Sequence, residues 1–160
     1  MQNFENLGVL FLFYIEEAMA LAVLGPTLFG IRPRAKDVAI MGVLQGVLIY
    51  LVRNIFRTFN ISPFVHTFVL LLTLIIIIRL ITGASWGIAS ASSIVGFIVL
   101  IIGEMFVVPF LWPYLNMTFE KLATSTWLHI LSGYLADSLL FILAIIVGFT
   151  KFSLIKSKMN

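Results

Sequence analysis

The feature that most limits this chain is a succession of long apolar runs, from Leu7 to Phe149, separated by little more than short polar turns. A helix crossing the hydrocarbon core of a bilayer needs about 20 predominantly apolar residues. Five such runs can be marked, at 7–29, 38–56, 64–81, 86–108 and 127–149. The turn Gly30-Ile31-Arg32-Pro33-Arg34 divides the first from the second, and Asn60-Ile61-Ser62-Pro63 precedes the third. Pro109 and Pro113 are expected to end the fourth, because proline removes a backbone donor and crowds the preceding turn. Within Leu70–Ile78 every helix face is apolar, which suits a helix in lipid or in a bundle interior and not an amphipathic surface helix. The expected fold is therefore all-α: one domain over residues 1–160, an integral membrane bundle of about five transmembrane helices. A short interfacial helix is expected around Thr118–Lys121.

Composition removes the competing classes. The chain is 61% hydrophobic and 11% charged, where soluble domains carry about 25% charged residues. A soluble enzyme, a disordered chain and a nucleic-acid-binding module are excluded on that ground. The absence of cysteine excludes disulfides, thiolate metal sites and a cysteine nucleophile. The run from Leu7 is longer than a signal-peptide core and is expected to stay as the first span. With five spans, Arg32, Arg34, Lys36, Arg79, Lys151, Lys156 and Lys158 fall on one side, and Arg53, Arg57 and Lys121 on the other. Basic residues accumulate in cytoplasmic loops, so the N-terminus is expected outside and the C-terminus in the cytoplasm. That arrangement accounts for the net charge of +3 without a polyanionic partner. It also puts Trp112, Tyr114 and Trp127 at the outer interface, where aromatic belts form.

Ionisable side chains inside a span are costly and point to function by default. Glu16, Glu17, Arg53, His66, Glu104 and Asp137 come from all five runs and fall in the outer half or the centre. Together they are expected to form a polar, ligand-binding pocket opening to the outer side. Glu16 and Glu17, being adjacent, point about 100° apart on a helix, so only one can face its centre. Arg53 and Glu104 are the expected ion pair, since an unpaired charge at depth is expensive. A purely structural pair is the plainer use of the same residues. Asp137 is the most informative single position, a lone acid in an otherwise apolar run between Gly133, Ala136 and Ser138. Arg79 is expected to reach the cytoplasmic headgroups, and Arg57, Lys121 and His129 to lie at the interface.

Small residues recur at helical spacing, as Gly42-xxx-Gly46 and Ala18-xxx-Ala22, with Gly83, Gly87, Ala91, Ser92 and Gly96 along the fourth run. Such spacing lets helices approach closely, inside the bundle or across a homodimer. No HExxH, GxSxG or phosphate-cradling glycine loop occurs. His66, His129, Glu104 and Asp137 lack local metal-ligand spacing. No catalytic residue, metal or cofactor is expected.

Several short motifs occur in a fixed order: Glu16-Glu17; Leu28-Phe29-Gly30-Ile31-Arg32-Pro33-Arg34-Ala35-Lys36; Tyr50-Leu51-Val52-Arg53; Ile61-Ser62-Pro63-Phe64-Val65-His66; Ile101-Ile102-Gly103-Glu104; and Trp127-Leu128-His129-Ile130-Leu131. The series resembles the membrane-embedded sensor region of certain receptor histidine kinases of Gram-positive bacteria, and stand-alone proteins similar to it. Receptors of the accessory-gene-regulator type share the general layout. The resemblance implies a multi-pass protein of the bacterial cytoplasmic membrane that senses or relays a signal, with Glu17, Arg53, His66 and Glu104 as the matching residues. In the kinases the final span continues into a phosphotransfer domain. The present sequence ends with Lys156-Ser157-Lys158-Met159-Asn160, so kinase activity is not carried over.

Two functions remain in view, beside a purely structural scaffold that would take no ligand. The first is a non-enzymatic sensor or regulatory membrane protein whose partners are the lipid bilayer, a second copy, or a cytoplasmic or membrane signalling protein. The alternative is a small-solute transport component, a substrate-binding membrane subunit. Five spans instead of six and the lack of an internal repeat weigh against it.

Overall fold

The computed structural model describes residues 7–59, 61, 63–114, 116, 118, 121, 125–150 and 152–154. It is all-helical. The helices are α1 (Leu7–Leu28), α2 (Ala35–Thr58), α3 (Pro63–Thr82), α4 (Trp86–Tyr114), α5 (Thr126–Ala136) and α6 (Ser138–Thr150). Four of them, α1 to α4, are long and apolar enough to cross a membrane, and α5 with α6 makes a fifth if the bent pair is one span. The expected interfacial helix at Thr118–Lys121 and the lysines at 151, 156 and 158 lie outside the described residues, apart from Thr118 and Lys121 themselves.

Two boundaries depart from the sequence reading. Helix α4 does not end at 108 but continues through Pro109 and Pro113 to Tyr114. Proline breaks a helix in water more readily than in an apolar bundle, where neighbouring groups satisfy the freed carbonyls. The last run, in turn, is not one straight helix. It breaks at Asp137, with α5 and α6 inclined at 55°. Asp137 has φ −91° and ψ 8°, off the helical well, although its N–H still donates to the Gly133 carbonyl at 2.8 Å. Aspartate competes with the helix ladder and is favoured where a helix begins, and here it immediately precedes α6.

α1 occupies the middle of the bundle and packs against α2, α4 and α6, while α3 closes the far side between α2 and α4. Its position follows from small residues. Ala18 and Ala22 are fully buried. Gly25 lies so close to the Ser92 carbonyl that a Cβ would overlap it, and a Cβ on Gly96 would meet the Leu21 side chain at 3.0 Å. Gly42 and Gly46 of α2 face Met19 and Ile15 of α1, with Cα of Ile15 2.9 Å from where a Gly46 Cβ would sit. The GxxxG pattern is thus an internal helix contact. Gly83 and Gly87 face open space, and Gly83 adopts φ +70° at the turn after α3.

Within α1, residues Leu10–Tyr14 form a π turn in which the Ile15 N–H reaches back to the Leu10 carbonyl. The wider turn brings both Phe13 and Tyr14 into the interior. Phe13 rests on Gly133 of α5, where any larger residue would strike its ring. At one end of the bundle, the Arg79 guanidinium donates to the Gly83 and Ala84 carbonyls and stacks 5.8 Å from the centre of the Trp86 ring. At the same end, the Leu154 N–H donates to the Leu28 carbonyl at 2.8 Å, tying the segment after α6 to the α1–α2 turn. The outer helix faces are apolar, with Phe11, Leu44, Phe68, Leu80, Ile102 and Phe149 all exposed.

Gly46→Val is expected to cost about 1–3 kcal/mol through overpacking against Ile15, read as a lower midpoint for denaturant unfolding in detergent micelles. Gly87→Val, with nothing within 4 Å, is expected to leave that midpoint unchanged.

Candidate functional site

Adjacent acids on α1 part company at once. Glu17 is buried and Glu16 exposed, as the 100° step between neighbouring helix residues requires. Glu17 points into the interior, and its Oε2 has no hydrogen-bond partner among the described residues. Arg53, five residues before the end of α2, approaches from one side. Its Nη1 donates to the Tyr14 hydroxyl at 3.1 Å, and its guanidinium carbon lies 4.7 Å from the centre of the Tyr14 ring. The π turn is what presents Tyr14 there, three residues before Glu17.

Glu104 enters from α4, and Asp137 from the break between α5 and α6. Because α4 runs to Tyr114, Glu104 is ten residues from its end, about 15 Å at 1.5 Å per residue. This is deeper than a helix ending at 108 would put it. Asp137 is 2% exposed and lies at a comparable distance from the start of α5. The polypeptide can bend toward α4 at this level because position 103 is glycine. A Cβ on Gly103 would stand 2.6 Å from the Ala136 carbonyl oxygen. Arg53 interacts electrostatically with Glu17, Glu104 and Asp137, and the three carboxyl groups interact with one another. Four helical elements therefore contribute to one cluster, in which three acids face one guanidinium.

The other two candidate residues have neighbours of a different kind. The His66 ring packs edge-on to Phe56 with centroids 6.3 Å apart, one turn beyond Arg53 on α2. Glu16 accepts a hydrogen bond from the Tyr134 hydroxyl on the outside of the bundle. The same hydroxyl lies 2.6 Å from the Leu12 carbonyl oxygen in the π turn, and with a single proton it donates to one acceptor at a time. Beside Glu16 an open groove of about 520 Å³ runs between α1 and α6, floored by Met19, Val23, Phe141 and Gly148. Among the described residues, no group of three or more His, Asp or Glu side chains is arranged to hold a metal ion.

Sequence reasoning passed over four polar partners. Tyr14 and Tyr134 were concealed by their aromatic rings, which read as apolar. Gln45 is fully buried, donating from Nε2 to the Leu70 carbonyl at 3.0 Å and accepting from the Thr73 hydroxyl at 3.1 Å. Asn54, beside Arg53, is buried and donates to the Tyr50 carbonyl at 2.8 Å. An amide in the middle of an apolar run is a visible signal, and Gln45 ties α2 to α3 as Arg53 ties α2 to α1.

Compared with known proteins, the chain matches no family model, no curated protein and no solved structure.

Removing the guanidinium leaves three carboxyl groups without the cation that faces them. Arg53→Met is expected to destabilise the folded bundle by about 3–5 kcal/mol, measured by denaturant titration in detergent. Tyr14→Phe, which deletes one hydrogen-bond acceptor, is expected to cost about 1 kcal/mol. An unchanged midpoint for Arg53→Met would show that the acids are held by something else.

Proposed function

We propose that this chain is a non-enzymatic, multi-pass protein of the bacterial cytoplasmic membrane, and that it senses a signal through its internal charged cluster. The N-terminus faces outward and the C-terminus the cytoplasm in this reading, from the basic residues at the end where α1 meets α2. The observation that carries it is the position of Asp137. It is buried, it belongs to the electrostatic cluster of Glu17, Arg53 and Glu104, and it is the residue at which the last span breaks.

In a medium of low dielectric, adding or removing one charge among these groups changes the forces on all the helices that hold them. Asp137 converts that change into a change of bend. The far end of α6 is joined to the α1–α2 turn by the Leu154–Leu28 hydrogen bond, so an altered bend reaches the cytoplasmic end. A signal acts by favouring one packing over another. The likeness of the Glu17, Arg53, His66 and Glu104 motifs to those of sensor-kinase membrane regions supports the same reading. A second reading, as a small-solute transport component, rests on one observation: a broken span with a buried acid at the break is a device of transporter substrate sites. Uptake by vesicles containing the purified protein would favour it.

The sensing reading is tested through the bend. The chain contains no cysteine, so Trp127→Cys together with Phe149→Cys carries two spin labels at exposed positions. A straight helix would separate their Cα atoms by about 33 Å at 1.5 Å per residue. The 55° break shortens this to about 29 Å. Asp137→Asn and Glu104→Gln, in nanodiscs, are expected to shift the distance distribution toward the longer value. Identical distributions in the parent and both variants would contradict the cluster's control of the bend.

A further inference from the structure

Glu16 is a carboxyl group on the outer surface of the bundle, nine residues from the start of α1 and twelve from its end. At 1.5 Å per residue this is about 14 Å from one end and 18 Å from the other, the middle of a membrane-crossing helix. A charge there is costly unless it meets a partner. Tyr134 occupies one of the four or so acceptor positions of the carboxylate. The groove of about 520 Å³ beginning at Glu16 is otherwise apolar, and small residues shape its floor: Ala20, Ala144 and Gly148. Ala144 is buried and a Cβ on Gly148 would lie 3.4 Å from the Val23 side chain of α1, so the small side chains bring α6 close to α1 and leave the groove between them unfilled.

We propose that this groove is the docking site for a transmembrane helix of another protein, one that presents a lysine or arginine near mid-membrane to Glu16. The charge and its depth select that occupant. A lipid acyl chain lying in the same groove would place its terminal methyl group, its least polar part, against the carboxylate. A second copy docked about a two-fold axis through the groove would set Glu16 against Glu16 of its partner, like charge against like. A helix with a basic residue midway along satisfies both the apolar floor and the acid. The proposal involves neither Asp137 nor the internal cluster, so its outcome is independent of the sensing reading.

The test uses the full chain in lipid vesicles, with a donor dye on Phe59→Cys, an exposed position away from the groove. The acceptor-labelled probe is a synthetic leucine–alanine transmembrane helix with one central lysine. A second probe has leucine in place of that lysine. Energy transfer is expected with the lysine helix and not above background with the leucine helix. Glu16→Gln, which keeps the side chain's size, is expected to weaken the association about tenfold. Gly148→Leu, which fills the groove, is expected to abolish it while helical circular dichroism stays unchanged. Equal transfer with the two probes would reduce the groove to an unselective apolar surface, such as lipid would occupy. No transfer with the lysine probe, or no effect of Glu16→Gln, would overturn the proposal. So would a loss of self-association between copies of the chain on Glu16→Gln, which would make the second copy the occupant.

Discussion

The organising interaction is that of one guanidinium with three carboxyl groups inside an apolar bundle. Hydrophobic burial alone would not choose an arrangement for helices so uniformly greasy, because a lipid tail satisfies a leucine as well as another helix does. Charges do choose. Arg53 lies within electrostatic reach of Glu17, Glu104 and Asp137, which relates α2 to α1, to α4 and to the break in the last span, on top of the close helix contacts made by small residues. The π turn, the glycine at 103 and the buried Tyr14 are then intelligible as the backbone adjustments that let those groups meet.

A second layer of neutral polar contacts holds what the charges do not. Gln45 links α2 to α3 by donating to the Leu70 carbonyl and accepting from the Thr73 hydroxyl. Thr82 and Ser93 bond back to the carbonyls one turn earlier in their own helices, whereas the buried Ser92 hydroxyl has no such partner among the described residues. Such bonds are worth about 0.6 kcal/mol each in membrane bundles, with the best near 1.7 kcal/mol. They set the register of neighbouring helices. The cluster at Asp137 differs in kind, since its strength depends on charge.

Much of this is legible in the amino-acid sequence. The helices follow from run length and hydropathy, and the split between Glu16 and Glu17 from helical geometry. Asp137 stood out as an acid with no polar neighbour of its own class within its run. The bend at that residue was not legible. Hydropathy is continuous from Trp127 to Phe149, neither proline nor glycine marks position 137, and the break is tertiary in origin: Ala136 turns its carbonyl toward Gly103 on another helix. The extension of α4 past Pro109 was hidden for the opposite reason, a local rule overridden by surroundings in which proline is tolerated. Tyr14 and Tyr134 show a third limit. Their rings belong to the apolar pattern, and only the fold reveals which hydroxyl finds a charged partner.

The most direct measurement of the central claim is a double-mutant cycle on unfolding free energy in detergent, pairing Arg53→Met with Glu17→Gln and, separately, with Asp137→Asn. If the guanidinium and these carboxyl groups share one electrostatic cluster, each pair is expected to be non-additive, with the acid's removal recovering about 1 kcal/mol or more of the loss caused by removing the arginine. Strict additivity in both cycles would place Arg53, Glu17 and Asp137 in separate environments and contradict the account.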